Sequence, residues 1–166
     1  LVLATHAVTK EVQAQGLVFS SPFLAFPDDV PKILLAVAPT LGTLLPCLPV
    51  GGVDNTGLSR DPEVVAAADA DPLSYHGWVR ARTGAEFDRA IRRVHANAGQ
   101  ATKPMLVIHG SDDKVVSCRG SRSFYENAGA EDKSFTLYEG GYHELWNDLD
   151  KDRAIAQMRD WIIERA

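Results

Sequence analysis

The sequence predicts an α/β domain built on three strands of a parallel sheet. The apolar run at 104–109 does not alternate with polar residues, as expected for a strand covered on both faces. Two further apolar stretches, 17–21 and 134–138, end at proline or glycine turns. Helical patterns fill the intervals, giving the order strand, insertion, strand, helix, strand, helix, which favours right-handed crossovers.

The chain divides into three parts on this pattern. Residues 1–22 hold a helix with apolar spacing over 1–13, read as the later part of a longer helix, and then the first strand. Residues 23–100 form an insertion. Residues 101–166 carry the two later strands, a helix over 117–128 and a closing helix over 150–165. We expect the closing helix to turn four apolar side chains inward: Ile155, Met158, Trp161 and Ile162.

The insertion is broken by prolines into short helical pieces, and its pattern predicts no strand. Residues 32–45 are so apolar that this helix is either buried all round or faces an apolar ligand. Asp61 followed by Pro62 is typical of a helix start, with Asp61 as the N-cap. A longer amphipathic helix is predicted over 77–98, with its arginines read as a solvated face.

Composition excludes several classes of protein. The 166 residues suffice for one domain, and 45% hydrophobic and 23% charged residues are ordinary for a globular protein. A net charge of -5 argues against a nucleic-acid surface. Two cysteines are too few for a disulfide scaffold and are compatible with a cytoplasmic location. Neither a bilayer-spanning run nor a signal peptide is predicted.

An acid and an imidazole follow the last two strands, which suggests that the pair meets at one edge of the parallel sheet. Asp113 closes a GSDD turn after the second strand, and His143 lies on a Gly-Gly-Tyr turn after the third. An imidazole can transfer protons near neutral pH, and an acid at its other nitrogen fixes its tautomer. The alternatives are a surface-loop histidine and aspartates that only form a turn. The spacing alone leaves these alternatives open.

Five segments resemble one known family, in the family's order: GLVFSSPFL, LSRDPEVV, ADPLSYHG, VIHGSDDKVV and YEGGYHELWND. They resemble the C-terminal half of an α/β-hydrolase, closest to the monoacylglycerol lipase and lysophospholipase group. The resemblance implies an α/β-hydrolase fold with a helical cap over 23–100. It gives Asp113 the role of triad acid and His143 that of general base and acid, with no cofactor and no metal.

The resemblance also implies a serine nucleophile on a G-x-S-x-G elbow, and this sequence has no such motif. The elbow and the oxyanion hole are therefore expected before Leu1. We expect the 166-residue chain alone to lack esterase activity. The implied activity is hydrolysis of monoacylglycerol-like esters. The alternatives are a dehalogenase or epoxide hydrolase of the same fold, and a non-catalytic fragment that binds an apolar ligand.

By the same resemblance, five residues line an acyl tunnel: Phe23, Phe26, Val53, Leu58 and Val115. The alternative is that they are ordinary core residues. Ala68 stands where relatives often have a tyrosine near the glycerol end, which leaves the alcohol half of the substrate open. The implied partners are a lipid-like ester and, at the open edge of the first strand, the rest of the fold or another chain. Contact with a membrane surface is compatible with the sequence. His109 is expected to pack beneath the site.

Overall fold

A computed structural model describes residues 1–52 and 54–166. Helices and strands alternate along most of this length. Two single-turn 3₁₀ helices, Asn55–Gly57 and Ala98–Gln100, lie between them. The other elements are α1 (Val2–Ala7), β1 (Leu17–Ser20), α2 (Lys32–Leu44), β2 (Pro49–Gly51), α3 (Pro62–Ala70), β3 (Val79–Arg80), α4 (Ala81–Ala96), β4 (Met105–Gly110), α5 (Cys118–Asn127), β5 (Lys133–Tyr138) and α6 (Lys151–Ile163).

The main sheet has three parallel strands in the order β1-β4-β5, which confirms the predicted α/β class. Every residue of the central strand β4 is buried. Its side chains alternate between two cores, one on each face of the sheet, which explains why this strand reads as an unbroken apolar run. One core includes Met105 and Val107 with α1 and α5, and the other includes Leu106 and Ile108 with Trp161 of α6.

Parallel pairing brings the turns after β4 and β5 to the same edge of the sheet. Gly110, the last residue of β4, is paired in register with Tyr138, the last residue of β5. The chain therefore leaves both strands at the same level. This register places the aspartate turn beside the histidine turn, although 30 residues separate Asp113 from His143.

The insertion contains a small antiparallel sheet of β2 and β3, so the expectation of no strand there was wrong. These strands have three and two residues, too few to display an alternating pattern. The longer helix accordingly begins at Ala81 rather than at residue 77. It packs against α2 at Gly42, where an added Cβ would lie 2.7 Å from the Cβ of Ala85.

Two further expectations about helices need correction. The first helix covers Val2–Ala7 rather than 1–13, since β-branched Val8, Thr9 and Val12 favour a helix less. In α6, Trp161 is buried and Met158 partly so, whereas Ile155 and Ile162 are 43% and 45% exposed. The buried face of α6 instead includes Ala154 and Trp161, which directly precede Ile155 and Ile162 in the sequence.

Helix α2 is not buried all round. Ile33 and Leu44 are 73% and 71% exposed, and within the helix only Gly42 is buried. Its other face, with Leu34 and Leu41, borders a cavity described below. In the described part of the chain, no helix combines the length and apolar character needed to cross a bilayer.

Candidate active site

The aspartate and histidine turns are hydrogen-bonded to each other. Asp112 donates its backbone N–H to the carbonyl of Gly141 over 3.0 Å, and Gly140 donates to the hydroxyl of Ser111 over 2.8 Å. A Cβ on Gly110 would lie 2.2 Å from the carbonyl oxygen of Gly141, so only glycine permits this approach. Gly140 has a φ of +70°, which allows the sharp turn that precedes the histidine.

Asp113 and His143 are in contact. Nδ1 of His143 lies 2.8 Å from Oδ2 of Asp113. The Asp113 side chain is 1% exposed, whereas that of His143 is 24% exposed, so the ring keeps access to solvent. The neighbouring Asp112 is exposed and accepts a bond from Ser111 instead. Of the two aspartates in the turn, Asp113 therefore is the one that meets the imidazole.

The other oxygen of Asp113 is held by the backbone. Oδ1 accepts the N–H groups of Val115 and Val116 over 2.8 and 2.9 Å. This is the turn geometry that aspartate favours, with its side chain bonded to backbone two and three residues on. The carboxylate is therefore fixed before it meets the imidazole, and its orientation follows from the local sequence.

A second histidine adjoins the same carboxylate, and the sequence did not assign it a role beyond packing. Nε2 of His109 lies 3.1 Å from Oδ2 of Asp113, but its geometry falls outside that of a hydrogen bond, so the approach is an electrostatic contact. Nδ1 of His109 lies 2.7 Å from the hydroxyl of Ser121. Both His109 and Ser121 are fully buried. If Ser121 donates its proton to Nδ1, the ring proton faces Asp113.

These contacts set the charge state of Asp113. Burial alone raises the pKa of a carboxyl group, because the charged form loses water. Here contacts with His109 and His143 and the backbone N–H of Val116 outweigh burial and hold the pKa of Asp113 well below its ordinary value. The acid is therefore ionised at neutral pH, as required of a group that accepts a bond from an imidazole.

The backbone of the histidine turn is hydrogen-bonded to the insertion. The N–H groups of His143 and Glu144 donate to the carbonyls of Gly57 and Leu58 over 3.4 and 2.8 Å. The carboxylate of Asp148, which is 1% exposed, accepts bonds from both segments. The sequence offers no local signal for this pairing, because the partners are 88 residues apart.

Four of the five predicted substrate-binding residues fall into two places. Phe23 and Phe26 stack edge to face 5.1 Å apart and border an apolar cavity of about 260 Å³. Leu58 and Val115 do not border that cavity but lie beside the two turns, Leu58 through its bond to Glu144 and Val115 through its bond to Asp113. Val53 lies outside the described residues.

The cavity lies within the insertion, and apolar residues dominate its lining. Fifteen of the described residues border it, from α2, α4, the β2–β3 sheet and its flank, and the segment after β1: Phe23, Phe26, Pro27, Val30, Leu34, Leu35, Ala38, Leu41, Val50, Gly51, Gly52, Val79, Ala81, Gly84 and Phe87. Phe23 lies three positions after β1 of the main sheet. Its ring stacks on that of Phe87 in α4, with the ring centres 5.3 Å apart, so this residue connects the cavity to the main sheet. Such a cavity suits an alkyl chain.

The site combines an ionised acid and an imidazole, and the insertion contains an apolar cavity. Across residues 1–52 and 54–166, no three His, Cys, Asp or Glu side chains are arranged to hold a metal ion. The imidazole has its Nδ1 occupied by Asp113, and no described residue is hydrogen-bonded to its Nε2. An imidazole in this state can accept a proton at Nε2 and return it.

Residues 1–150 match the profile of the Hydrolase_4 family, described as serine aminopeptidase, S33. The chain belongs to the Hydrolase_4 family. The match includes both turns of the site. The sequence-based recognition of an α/β-hydrolase of the monoacylglycerol lipase type is confirmed by the similar proteins below.

Similar curated proteins are named lipases. A monoacylglycerol lipase of Mycolicibacterium smegmatis is 35% identical over 89% of this Hydrolase_4 chain and 53% of its own length. A monoglyceride lipase of Homo sapiens is 29% identical over 90% of this chain and 50% of its own length. The chain thus spans about half the length of the curated relatives that it matches.

Solved structures show the same fold. The crystal structure of the Paleococcus ferrophilus monoacylglycerol lipase has a TM-score of 0.89 and 27% identity, covering 99% of this chain and 64% of that one. A monoglyceride lipase variant from Saccharomyces cerevisiae, solved with a substrate analog, has a TM-score of 0.83 and 21% identity over 99% of this chain and 59% of that one. The predicted α/β-hydrolase fold is thereby confirmed.

Proposed function

We propose that the protein containing this chain hydrolyses carboxylic esters of monoacylglycerol-like lipids. Asp113 and His143 supply the acid and the base, and a serine from sequence outside this chain supplies the nucleophile. The contact of 2.8 Å between His143 Nδ1 and Asp113 Oδ2 carries the proposal, because it leaves Nε2 of the ring for proton transfer. The lipase names of the similar proteins support the substrate class.

The proposed chemistry has two stages. In the first, Nε2 of His143 takes the proton of the serine hydroxyl as its oxygen attacks the ester carbonyl. The tetrahedral intermediate collapses, the ester C–O bond breaks, and the ring returns the proton to the leaving alcohol. In the second, the ring deprotonates water, which attacks the acyl-enzyme carbonyl. The acyl–serine C–O bond then breaks, the ring returns the proton to the serine oxygen, and the fatty acid leaves.

Asp113 stabilises the imidazolium that exists in both stages. Its carboxylate is ionised and faces Nδ1, so the charge that forms on the ring meets an opposite charge at hydrogen-bonding distance. The bonds from Val115 and Val116 keep the carboxylate from turning away. These contacts support the role of Asp113 as the triad acid.

We assign the acyl chain to the apolar cavity of the insertion. Phe23 and Phe26 at its border support this, and its volume of about 260 Å³ can hold several methylenes, each contributing about 0.8 kcal/mol on burial. Leu58 and Val115 are then proposed to border the substrate nearer the reacting carbonyl, because they lie beside the two turns. Residues 23–100 would act as the cap.

A test of the proposed function compares hydrolysis of a monoacylglycerol by the full-length protein and by two histidine variants. We expect His143→Ala to lower kcat by at least about a thousandfold, as for loss of a triad member. The control is His76→Ala, which removes an exposed histidine of the insertion and should leave the rate unchanged. Equal rates in all three proteins would contradict the proposal.

Two proposed partners concern surfaces. Within the described residues, β1 pairs with β4 alone, so its other edge can accept a strand from the rest of the fold or from another chain. Helix α2 has one charged residue, Lys32, and exposes apolar side chains that suit a lipid surface. A cytoplasmic location stays a prediction.

Both surface proposals can be measured. Size-exclusion chromatography with light scattering should show the 166-residue chain associating through the β1 edge, and a stable monomer would contradict that. Sedimentation with phosphatidylcholine vesicles should show weaker binding for Leu44→Glu than for Ile163→Glu, a control at an exposed position on α6. Equal binding by the two variants would contradict membrane contact through α2.

A further inference from the structure

A buried carboxylate joins the insertion to the histidine turn. Asp148 is 1% exposed, and each of its oxygens accepts two bonds. Oδ1 accepts from the backbone N–H of Arg60 over 2.8 Å. It also shares the single hydroxyl proton of Ser59, at 3.3 Å, with the carbonyl of Asn147, at 3.0 Å. Oδ2 accepts from Nε of Arg60 over 2.9 Å and from the backbone N–H of Tyr142 over 3.0 Å. A buried charge needs this many donors to replace its lost water.

The donors come from two distant segments. Ser59 and Arg60 precede α3 in the insertion, whereas Tyr142 immediately precedes His143. One carboxylate therefore ties residues 59–60 to the start of the histidine turn. These bonds also hold the pKa of Asp148 below its ordinary value against the opposing effect of burial, so the group stays charged.

The same two segments are also joined by backbone hydrogen bonds at the histidine. The backbone N–H groups of His143 and Glu144 bond to the carbonyls of Gly57 and Leu58. The segment 57–60 thus runs beside residues 142–148 and contacts them through the backbone and through Asp148. His143 is consequently held from two directions, by Asp113 at its ring and by the insertion at its backbone.

Arg60 bonds to a second carboxylate besides that of Asp148. Its Nη2 atom lies 2.6 Å from Oδ2 of Asp150, a side chain that is 37% exposed. Asp150 shows no bond to the histidine turn among the described residues, whereas Asp148 bonds to Tyr142 directly. Removing Asp150 should therefore weaken Arg60 alone, while removing the charge of Asp148 should release the histidine turn.

We infer that Asp148, together with Arg60, is a positioning residue that fixes His143 for proton transfer by clamping residues 57–60 to the histidine turn. The inference rests on the proposed function in that it concerns the same histidine. This positioning role differs from a purely structural contact between the insertion and the histidine turn. It requires the ring of His143 to move when the bonds of Asp148 are broken.

The test uses the full-length protein and the variants Asp148→Asn and Asp150→Asn. An asparagine in place of Asp148 would keep the shape but turn an N–H₂ group toward donors, which breaks two bonds. We expect kcat of Asp148→Asn for a monoacylglycerol to fall at least about tenfold with a smaller change in KM, since small misplacement of a reacting group is costly. Asp150→Asn is the matched control and should stay within about twofold of the parent protein in both constants.

A second readout does not depend on hydrolysis. The proton on Nδ1 of His143 should give a downfield NMR signal in the parent protein, because it faces a carboxylate. Asp148→Asn should shift or broaden that signal and speed amide exchange at Glu144, and Asp150→Asn should change neither. Loss of stability with an unchanged ring signal and unchanged kcat per folded molecule would overturn the inference.

Failure of the inference about Asp148 can be distinguished from failure of the proposed function. If the parent protein hydrolyses no ester, the proposed function fails, but the ring signal still tests the clamp. If Asp148→Asn does not fold, Arg60→Gln takes its place, because the backbone N–H of residue 60 still reaches Asp148. We expect a kcat reduced about threefold or more for Arg60→Gln, and a value equal to that of Asp150→Asn would overturn the inference.

Discussion

Nε2 of His109 lies 3.1 Å from Oδ2 of Asp113, the oxygen that also meets His143. Two imidazoles therefore face one carboxylate oxygen. His109 is fully buried on β4 and is anchored by Ser121 of α5, so it cannot move away from the acid. Its place on the strand explains why the acid sits so close to the sheet.

Replacement of His109 by leucine should lower stability at neutral pH and make stability depend less on acid. The pKa of Asp113 is depressed in the folded state, so its contribution to stability is fully present above the ordinary carboxyl pKa and is lost as pH falls through the folded value. Without His109 the folded pKa of Asp113 rises toward its ordinary value, so this contribution is smaller at pH 7 and less of it is lost on acidification.

Urea unfolding of the parent protein and His109→Leu at pH 3, 4, 5 and 7 measures this effect. The fall in unfolding midpoint between pH 7 and pH 3 should be smaller for His109→Leu than for the parent. His109→Gln is the control, because an amide can still donate to Asp113. Identical pH profiles for the leucine variant and the parent would show that His109 only fills space.

Alanine at position 110 should separate the acid from the base. The new Cβ would lie 2.2 Å from the carbonyl of Gly141, so one of the two turns must shift. We expect kcat for ester hydrolysis to fall by about tenfold or more, because the ring and the carboxylate no longer align. Gly99→Ala is the control, since no described residue lies closer than 4.0 Å to its added Cβ. Equal kcat values for the two variants would contradict this geometry.

Alanine at position 61 should destabilise the insertion without touching the site. The carboxylate of Asp61 accepts the N–H of Glu63 over 2.9 Å and caps α3. Loss of an N-cap lowers the free energy of unfolding by about 1 kcal/mol. Chemical denaturation of Asp61→Ala and Asp61→Ser should show the loss in alanine and its recovery in serine.

Local chemistry explains what could be predicted from the sequence. The cap at Asp61 followed from Asp-Pro, and the two-sided burial of Met105–Ile108 followed from an unbroken apolar run. The expectation that Asp113 and His143 share one sheet edge followed from parallel strands ending in turns. Each of these predictions needed a few adjacent residues and a general rule of backbone geometry.

Long-range pairing explains what could not be predicted. Asp148 and Arg60 are ordinary polar loop residues by sequence, and only the fold brings them together. The β2–β3 pair was missed because each strand is too short to show a period. His109 was expected to pack under the site, and its approach to Asp113 depends on a single rotamer fixed by Ser121.

Side chains at position 84 should set the preferred acyl length. Gly84 lies in α4 on the cavity border, and among the described residues an added Cβ would meet only Val50, at 3.9 Å. Gly84→Ala should raise the free energy of unfolding by about 0.4–1 kcal/mol, because alanine favours the helix. Gly84→Leu should fill space that an acyl chain would occupy. Burial of one methylene contributes about 0.8 kcal/mol. Each methylene that the leucine excludes should therefore lower the preference for a long chain about fourfold.

Hydrolysis of monoacylglycerols with 8 and 18 carbons should therefore respond differently to Gly84→Leu. The ratio of kcat/KM for the long chain over the short chain should fall roughly fifteenfold, as for two excluded methylenes. Gly84→Ala is the matched control and should leave the ratio nearly unchanged. An equal loss on both substrates would place the acyl chain elsewhere than in the cavity bordered by Phe23 and Phe87.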